Sequence, residues 1–505
     1  MEDRRTTRLM RISALRSSPL HIARAMALTA LLLTTACSKE GSGPVIVSVA
    51  GTRSELMEPL RNPLSPASKL ILEATGQGLV AFDAQGDIVP ALAQRWIVED
   101  GGLSYIFRIR RAQWPDGSRV EAKEVARLLA LRIEANRVLD PLGDLDAVRE
   151  VIPMTGEVIE VRMATPRPYF LQMLAQPQMA ITRIGGGTGP YRMEDRKTAL
   201  FLTPITDPAA EEDELKPRAW ENRVLRAERP AKAIVRFRMG LSDLVLGGRF
   251  SSLPLLTKAG AEPQAVRIDP VQGLFGFAIT GQDDFFGAAP IRAALSMAVD
   301  RDRLPAAFDI GGWTIQSGLL PGQFDLPGAP VAPSWQSLSM DDRRARAIGA
   351  VNGWRAAHDG KVPILRIALP AGPGSRTLFN MIAADFLRIG LSSRLVPLDD
   401  DADLRLVDEV AAYDSALWYL GRVGCARKIR CNEAAEEKLQ EAGLADTDDA
   451  RTQRLAEAQA LLAEDSGFIP LASPIRWSLV SKRLTGFQPS RRARHPLNRL
   501  FRTTT

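Results

Sequence analysis

The residues of this 505-residue chain that invite chemistry are three cysteines, two histidines beyond the first 36 residues, and a run of glycines. Cys425 and Cys431 enclose the basic loop ARKIR. A pair this close oxidises in an exported protein and closes a short ring; in a reducing compartment it stays as two thiols. A metal site at this pair needs further soft or imidazole ligands, and only His358 and His495 remain to supply them. The run GGGTGPY (Gly185 to Tyr191) has no Lys-Ser/Thr pair after it. Its spacing before Pro190 also breaks the dinucleotide-binding pattern, so it reads as a tight turn between domains. Ser42 and Ser375 lack the GxSxG spacing of a nucleophile elbow, no HExxH is present, and Glu211 and Glu212 lie in a charged loop. The expectation is a protein that is not an enzyme and carries no cofactor and no metal.

Hydrophobic residues make up 45% and charged residues 25% of the chain, which is the composition of a folded globular body long enough for two to four domains. The net charge of +6 suggests a nucleic-acid partner until its location is traced. Six arginines against two acids in residues 1–36 supply most of it, which leaves the rest close to neutral and gives no support to a phosphate-binding face. Within that leader, the 12 uncharged residues AMALTALLLTTA (Ala25 to Ala36) are too few to span a bilayer and fit a secretory h-region. Thr35 and Ala36 before Cys37 resemble a bacterial lipobox, in which the cysteine becomes the lipidated first residue. Thr34 stands where the motif has Leu, so an ordinary cleavage near Ala36 with a free thiol is the competing reading. Residues 37–44 form a polar tether.

The elements that must position any site follow in order. VIVSVA (Val45 to Ala50) reads as a buried strand, and a helical stretch runs through Leu70 and Ile71. In GLVAFDAQGDIVPALAQRW (Gly78 to Trp96) a strand meets a turn, and Pro90 starts a short helix ending at Trp96. LSYIFRIRR alternates as a half-buried strand, and an amphipathic helix starts at about Ala122 after the Pro115, Asp116, Gly117 turn. IRAALSMAVDRDRL is a helix. ILRIALP, TLFNMIAADFLRIG and LSSRLVPL give strand, helix and strand, which implies a parallel pair and an α/β domain. YDSALWYL (Tyr413 to Leu420) reads as another strand.

Six of these segments, in order, resemble the family 5 solute-binding proteins of ABC importers, the group containing the oligopeptide- and dipeptide-binding receptors. They are GLVAFDAQGDIVPALAQRW, YIFRIRRAQWPDGSRVEAKEV, TPRPYFLQML, GTGPY, IRAALSMAVDRDRL and IPLASPIRWSLVSKRLTGF. The resemblance implies an α/β fold of the periplasmic binding protein-like II class, large and three-lobed (cluster C type), with two hinged α/β lobes and a small inserted α+β lobe. Transposed to this chain, residues 1–36 are a signal peptide and lobe I is discontinuous over 45–77, 187–270 and 472–505. Residues 78–186 form the inserted lobe II and 271–471 form lobe III. The implied function is a periplasmic, lipid-anchored, monomeric receptor that closes on a small organic or peptide-like ligand and hands it to an ABC permease. A binding-only sensor or envelope accessory protein without a transporter is the alternative.

The chain departs from the peptide binders where the ligand is gripped. Their Trp and ammonium-pairing Asp fall on Leu420 and Val423 here, and an Asn they often carry is Thr280. A buried ammonium without a carboxylate is costly. The segment offers Arg422, Arg427, Lys428 and Arg430 instead, with Trp418 and Tyr419 leading in, only one of which faces the cleft by strand alternation. The expected ligand is therefore neutral or anionic, with Arg422 as its charge partner; the competing reading has both aromatics in the lobe core and the cations in water.

Overall fold

The computed structural model describes residues 43–61, 63–137, 144–205, 217–427 and 429–502. Cys37, Lys428, Glu211 and Glu212 lie outside them. Val45–Ala50 is the centre of a seven-stranded sheet, because its apolar residues Val45, Val47 and Val49 are buried and its backbone pairs in parallel with Arg223–Glu228 on one side and Leu244–Arg249 on the other. Across the sheet the order is Tyr191–Asp195, Leu200–Pro204, Arg223–Glu228, Val45–Ala50, Leu244–Arg249, Arg476–Val480 and Val266–Ile268. The helix Pro66–Thr75 packs on it through Ala67, Leu70, Ile71 and Ala74, with Ser65 accepting from the Ser68 amide at its start.

A five-stranded sheet has the order Ser393–Pro397, Leu365–Leu369, Leu404–Val410, Gly273–Ile279 and Phe468–Ala472. The expected parallel pair is present: Leu365–Leu369 runs parallel to Ser393–Pro397 across the helix Pro373–Arg388. A four-stranded antiparallel sheet, Ala93–Glu99, Ser104–Ile109, Val158–Met163 and Val148–Pro153, packs against the helix Ala122–Arg137. Among the described residues no helix is long and apolar enough to cross a membrane.

Two short crossings join the larger sheets. One runs from Val266–Ile268 to Gly273–Ile279, and the other from Phe468–Ala472 to Arg476–Val480. At the first, Gly273 has φ +154°, and a Cβ there would lie 2.0 Å from the Glu409 carbonyl oxygen, so only glycine lets the strands meet. At the second, Trp477 lies flat on Gly248, whose hypothetical Cβ would fall 2.1 Å from the indole. The Trp477 Nε1–H donates to the Arg249 carbonyl at 3.0 Å.

Two sequence expectations are corrected. Residues from Pro90 to Trp96 form no helix: Ile88–Pro90 pairs with Val80–Phe82, and Ala93–Glu99 pairs with Ser104–Ile109 through Trp96 opposite Phe107 and Ile97 opposite Ile106. Ladder pairing and the β-branched Ile97 and Val98 override the helix preference of the alanines. Tyr413 to Leu420 forms no strand; Ala416–Gly421 is a helix with every residue buried. A fully buried apolar run carries no period, so it cannot distinguish the two. Asp325 decides the matter, its carboxylate accepting from the Ser415 hydroxyl and the Ala416 amide at the helix start.

The run Gly185 to Tyr191 is a turn as expected, with Thr182–Arg183 pairing with Gly186–Gly187. A Cβ on Gly189 would meet the Gly76 nitrogen at 2.5 Å, so glycine is needed where the two segments touch. Trp477 is fully buried at the second crossing. Trp477→Ala is expected to cost about 3–5 kcal/mol of stability, as large aromatic truncations in cores do. Denaturant unfolding of the variant checks it, and a loss near zero would show that the crossing does not depend on the indole.

Candidate functional site: a cationic cleft between the sheets

The sequence-expected site residues are scattered. Trp418 is 3% exposed and Tyr419 is fully buried, so neither presents a ring to a cleft. Tyr419 stacks on Phe324 at 5.3 Å, and Trp418 meets Tyr419 edge-on at 4.8 Å. Burial, and then the Asp414 charge, pushes the Tyr419 phenol above its ordinary pKa, with Arg492 opposing. Arg422 spans Trp418 at 4.8 Å and donates its Nε–H to Glu409 at 3.0 Å, so its charge already has a carboxylate. Thr280 sits about 20 Å further along the Gly273–Ile279 strand, where its hydroxyl donates to the Ala402 carbonyl at 2.7 Å. Val423 is buried. A disulfide joins Cys425 and Cys431. Arg430 ties this loop to the end of the strand Gly273–Ile279 by donating to the Gly281 and Asp283 carbonyls at 2.9 and 2.7 Å.

The sequence reading missed a charged group on the seven-stranded side. On the helix Pro66–Thr75, Lys69 and Glu73 are one turn apart and share the face turned away from the seven-stranded sheet. Glu73 is held by Arg494, which also donates to the Ala175 carbonyl at 2.9 Å and lies over Phe82 at 5.2 Å. Arg249 ends its strand beside Arg476. Across from them, Asp408 on the strand Leu404–Val410 accepts from the Arg476 guanidinium at 2.7 Å and lies 3.9 Å from Arg249. The Asp408 Oδ2 has no hydrogen-bond partner among the described residues.

Lys69 is solvent-exposed by accessible area, and 42% of the Arg249 side chain is accessible. Enclosure, followed by the charges of Arg249, Arg476 and Arg494, lowers the Lys69 pKa from 10.5 to about 8, with Glu409 opposing. Enclosure and Arg476 also lower that of Arg249, against Asp408, Glu409 and Glu55. Among the described residues Lys69 has no carboxylate within ion-pair distance. Three of the five cations pair off, as Arg494 with Glu73, Arg476 with Asp408 and Arg422 with Glu409. Glu55 accepts from the Thr52 amide at 2.6 Å and keeps the negative charge that favours the charged form of Arg249. Arg249 has the longer contact with Asp408, at 3.9 Å.

A shallow depression beside Ser296, Leu319, Trp335, Gln459 and Phe468 has no charged lining. Among the described residues no group of three or more His, Cys, Asp and Glu could hold a metal.

Two large sheets joined by paired crossings are the architecture of a two-lobed binding protein. Residues 87–422 match the family model of bacterial extracellular solute-binding proteins, family 5, and the chain belongs to that family. It is 29% identical over 141 residues to the probable deoxycholate-binding periplasmic protein YgiS of Escherichia coli, covering 24% of this chain and 26% of that one. It is 23% identical over 314 residues to the E. coli periplasmic oligopeptide-binding protein OppA, covering 54% and 55%. These matches therefore span about a quarter and about half of the relatives' lengths. The fold is shared with Burkholderia pseudomallei OppA at a TM-score of 0.76, with 17% identity over 92% of this chain and 99% of that one.

A lysine that is harder to keep charged in the folded chain binds fewer protons there than in the unfolded chain between pH 8 and 10.5, so stability rises with pH through that window. Lys69→Met removes this dependence. The variant is expected to exceed the wild type in stability near neutral pH, with the gap closing as pH approaches 10.5. Urea midpoints across the range check it; a gap independent of pH would show that Lys69 is not strained by its charge.

Proposed function

We propose that the protein is an extracytoplasmic receptor that closes two hinged α/β lobes around a small organic or peptide-like ligand and delivers it to an ABC permease. The observation that carries this reading is the pair of large sheets joined by two short crossings, from Val266–Ile268 to Gly273–Ile279 and from Phe468–Ala472 to Arg476–Val480. Ligand touching both walls stabilises the shut state alone, which is how binding drives closure. In this reading lobe I comprises 45–77, 187–270 and 472–505, lobe II comprises 78–186, and lobe III comprises 271–471. Family membership and relatives named periplasmic support a periplasmic location. The protein acts as a monomer, without enzymatic turnover.

Closure predicts that protein carrying its native cargo has a smaller radius of gyration than the same protein after denaturation and refolding without cargo. Small-angle scattering on both forms tests it, and equal radii would sink the hinged-receptor reading. Recovery of an ABC permease with the tagged protein separates import from a binding-only role.

The leader supports anchoring through Cys37, which begins the tether of residues 37–44. Cys37→Ser is expected to move the protein from the membrane fraction to the soluble one, as loss of a lipid chain does. An unchanged distribution would favour an ordinary signal peptide.

A further inference from the structure

We infer that lobes I and III turn on Phe250, a side chain that lobe I carries and lobe III encloses, and that the faces on this side stay shut while the opposite faces part. This rests on the receptor reading above and names the pivot of its closure.

Phe250 opens the turn Phe250–Ser252, directly after the strand Leu244–Arg249 of the seven-stranded sheet. Its ring is fully buried against the other lobe, where it meets Phe275 edge-on at 4.9 Å and lies 6.4 Å from Phe308. Trp313 completes the socket, 5.6 Å from Phe275 and 5.3 Å from Phe308. The backbone fits as closely as the ring. The turn lies against the start of the helix Pro373–Arg388, where a Cβ on Gly374 would fall 2.1 Å from the Phe250 carbonyl oxygen and one on Gly372 2.4 Å from that of Ser251. Two carbonyl oxygens at this place also complement the positive end of the helix dipole.

Position and packing make this contact a pivot. Both crossings pass beside it: Phe275 lies two residues beyond Gly273 on the first, and the Trp313 Nε1–H donates to the carbonyl of Ser473, in the second, at 2.7 Å. A group on the axis of a rotation moves least, so Phe250 stays buried while the lobes swing. On its side of the sheets one apolar core runs unbroken through both lobes, from Val245, Leu253 and Leu256 to Phe275, Leu378 and Phe386. The strand neighbours that point the other way belong to separate cores, Leu246 with Val47 and Ile71 in one, and Leu274 with Ala278 and Leu439 in another. Parting the first side would open a close-packed interior to water, whereas parting the second divides no shared core among the described residues. The cleft therefore opens on the side of the helix Pro66–Thr75.

The test places spin labels on cysteine pairs in the Cys37→Ser protein, where Cys425 and Cys431 are joined and do not react. Thr257→Cys with Leu387→Cys spans the pivot side, at exposed positions of the helices Pro254–Lys258 and Pro373–Arg388. Glu58→Cys with Glu437→Cys spans the cleft side, at exposed positions close to the core residues Leu56 and Leu439. Double electron–electron resonance is recorded with native cargo and after denaturation and refolding without it. The cleft-side distance is expected to shorten with cargo, and the pivot-side distance to keep its cargo-free distribution. Both distances shifting alike overturns the pivot and keeps the receptor; neither shifting removes closure and the pivot with it. Two variants with unchanged circular dichroism test the socket without cargo, so they decide the matter also for protein that retains none. Gly374→Ala drives a methyl group at the Phe250 carbonyl and is expected to lengthen the pivot-side distance. Phe250→Ala empties the socket and is expected to broaden that distance, with Phe250→Leu falling between. Wild-type distributions in both Gly374→Ala and Phe250→Ala overturn the inference. If Gly374→Ala does not fold, a wild-type distribution in Phe250→Ala alone overturns it.

Discussion

Asp408 is the carboxylate on which the two large sheets are registered. It belongs to the five-stranded sheet, yet its hydrogen bonds run to Arg476, the first residue of a strand in the seven-stranded one. Taking this pair out of water is expensive, and one carboxylate oxygen is left without a hydrogen-bond partner. What the pair contributes is a fixed point. The sheets are otherwise linked by two short chain crossings, and Gly273 on one and Trp477 over Gly248 on the other admit no larger or smaller residue without moving a wall. A charge pair beside such a pivot holds the lobes in one relation near the axis while leaving the far edge of the cleft free to move.

The small four-stranded unit bears on the same region from the side. Its apolar core continues into that of the helix Ala416–Gly421, so Trp418 and Tyr419 pack in one cluster with Phe107, Phe170 and Leu174. Gln176 donates to the Ala412 carbonyl at 3.0 Å, and Arg167 donates to that of Gly443 at 2.6 Å. These bonds bypass the crossings. They tie the inserted unit to the five-stranded side, while Arg494 ties it to the helix that carries Lys69 through Glu73 and the Ala175 carbonyl. The wall of the cleft is therefore positioned by contacts from three sheets, and its rigidity comes from apolar packing rather than from the charges that line it.

Much of the fold was legible in the sequence because alternation and helical spacing survive wherever one face is buried and the other wet. Ser104–Ile109, Ala122–Arg137 and the strand, helix and strand series from Leu365 to Pro397 are of this kind. Where every side chain is buried the pattern vanishes, and Ala416–Gly421 shows the result: its helix is fixed by Asp325, roughly ninety residues earlier in sequence, as the hydrogen bonds to Ser415 and Ala416 record. Pro90 to Trp96 failed for the opposite reason. A local helix preference was present and cross-strand pairing overruled it.

The site was less legible, and the reason lies in how charges are counted. Arg422, Arg427, Lys428 and Arg430 look like a ligand-binding cluster because they are adjacent in sequence. Arg422 is neutralised by Glu409, and Arg430 is used to hold a disulfide-closed loop against Gly281 and Asp283. Lys69 and Arg249 attract no notice in sequence, being 180 positions apart and each an ordinary basic residue near the end of a regular element. The contact of Arg249 with Asp408 appears only in the folded arrangement. Charge pairing is a property of that arrangement, set by which carboxylates reach which bases.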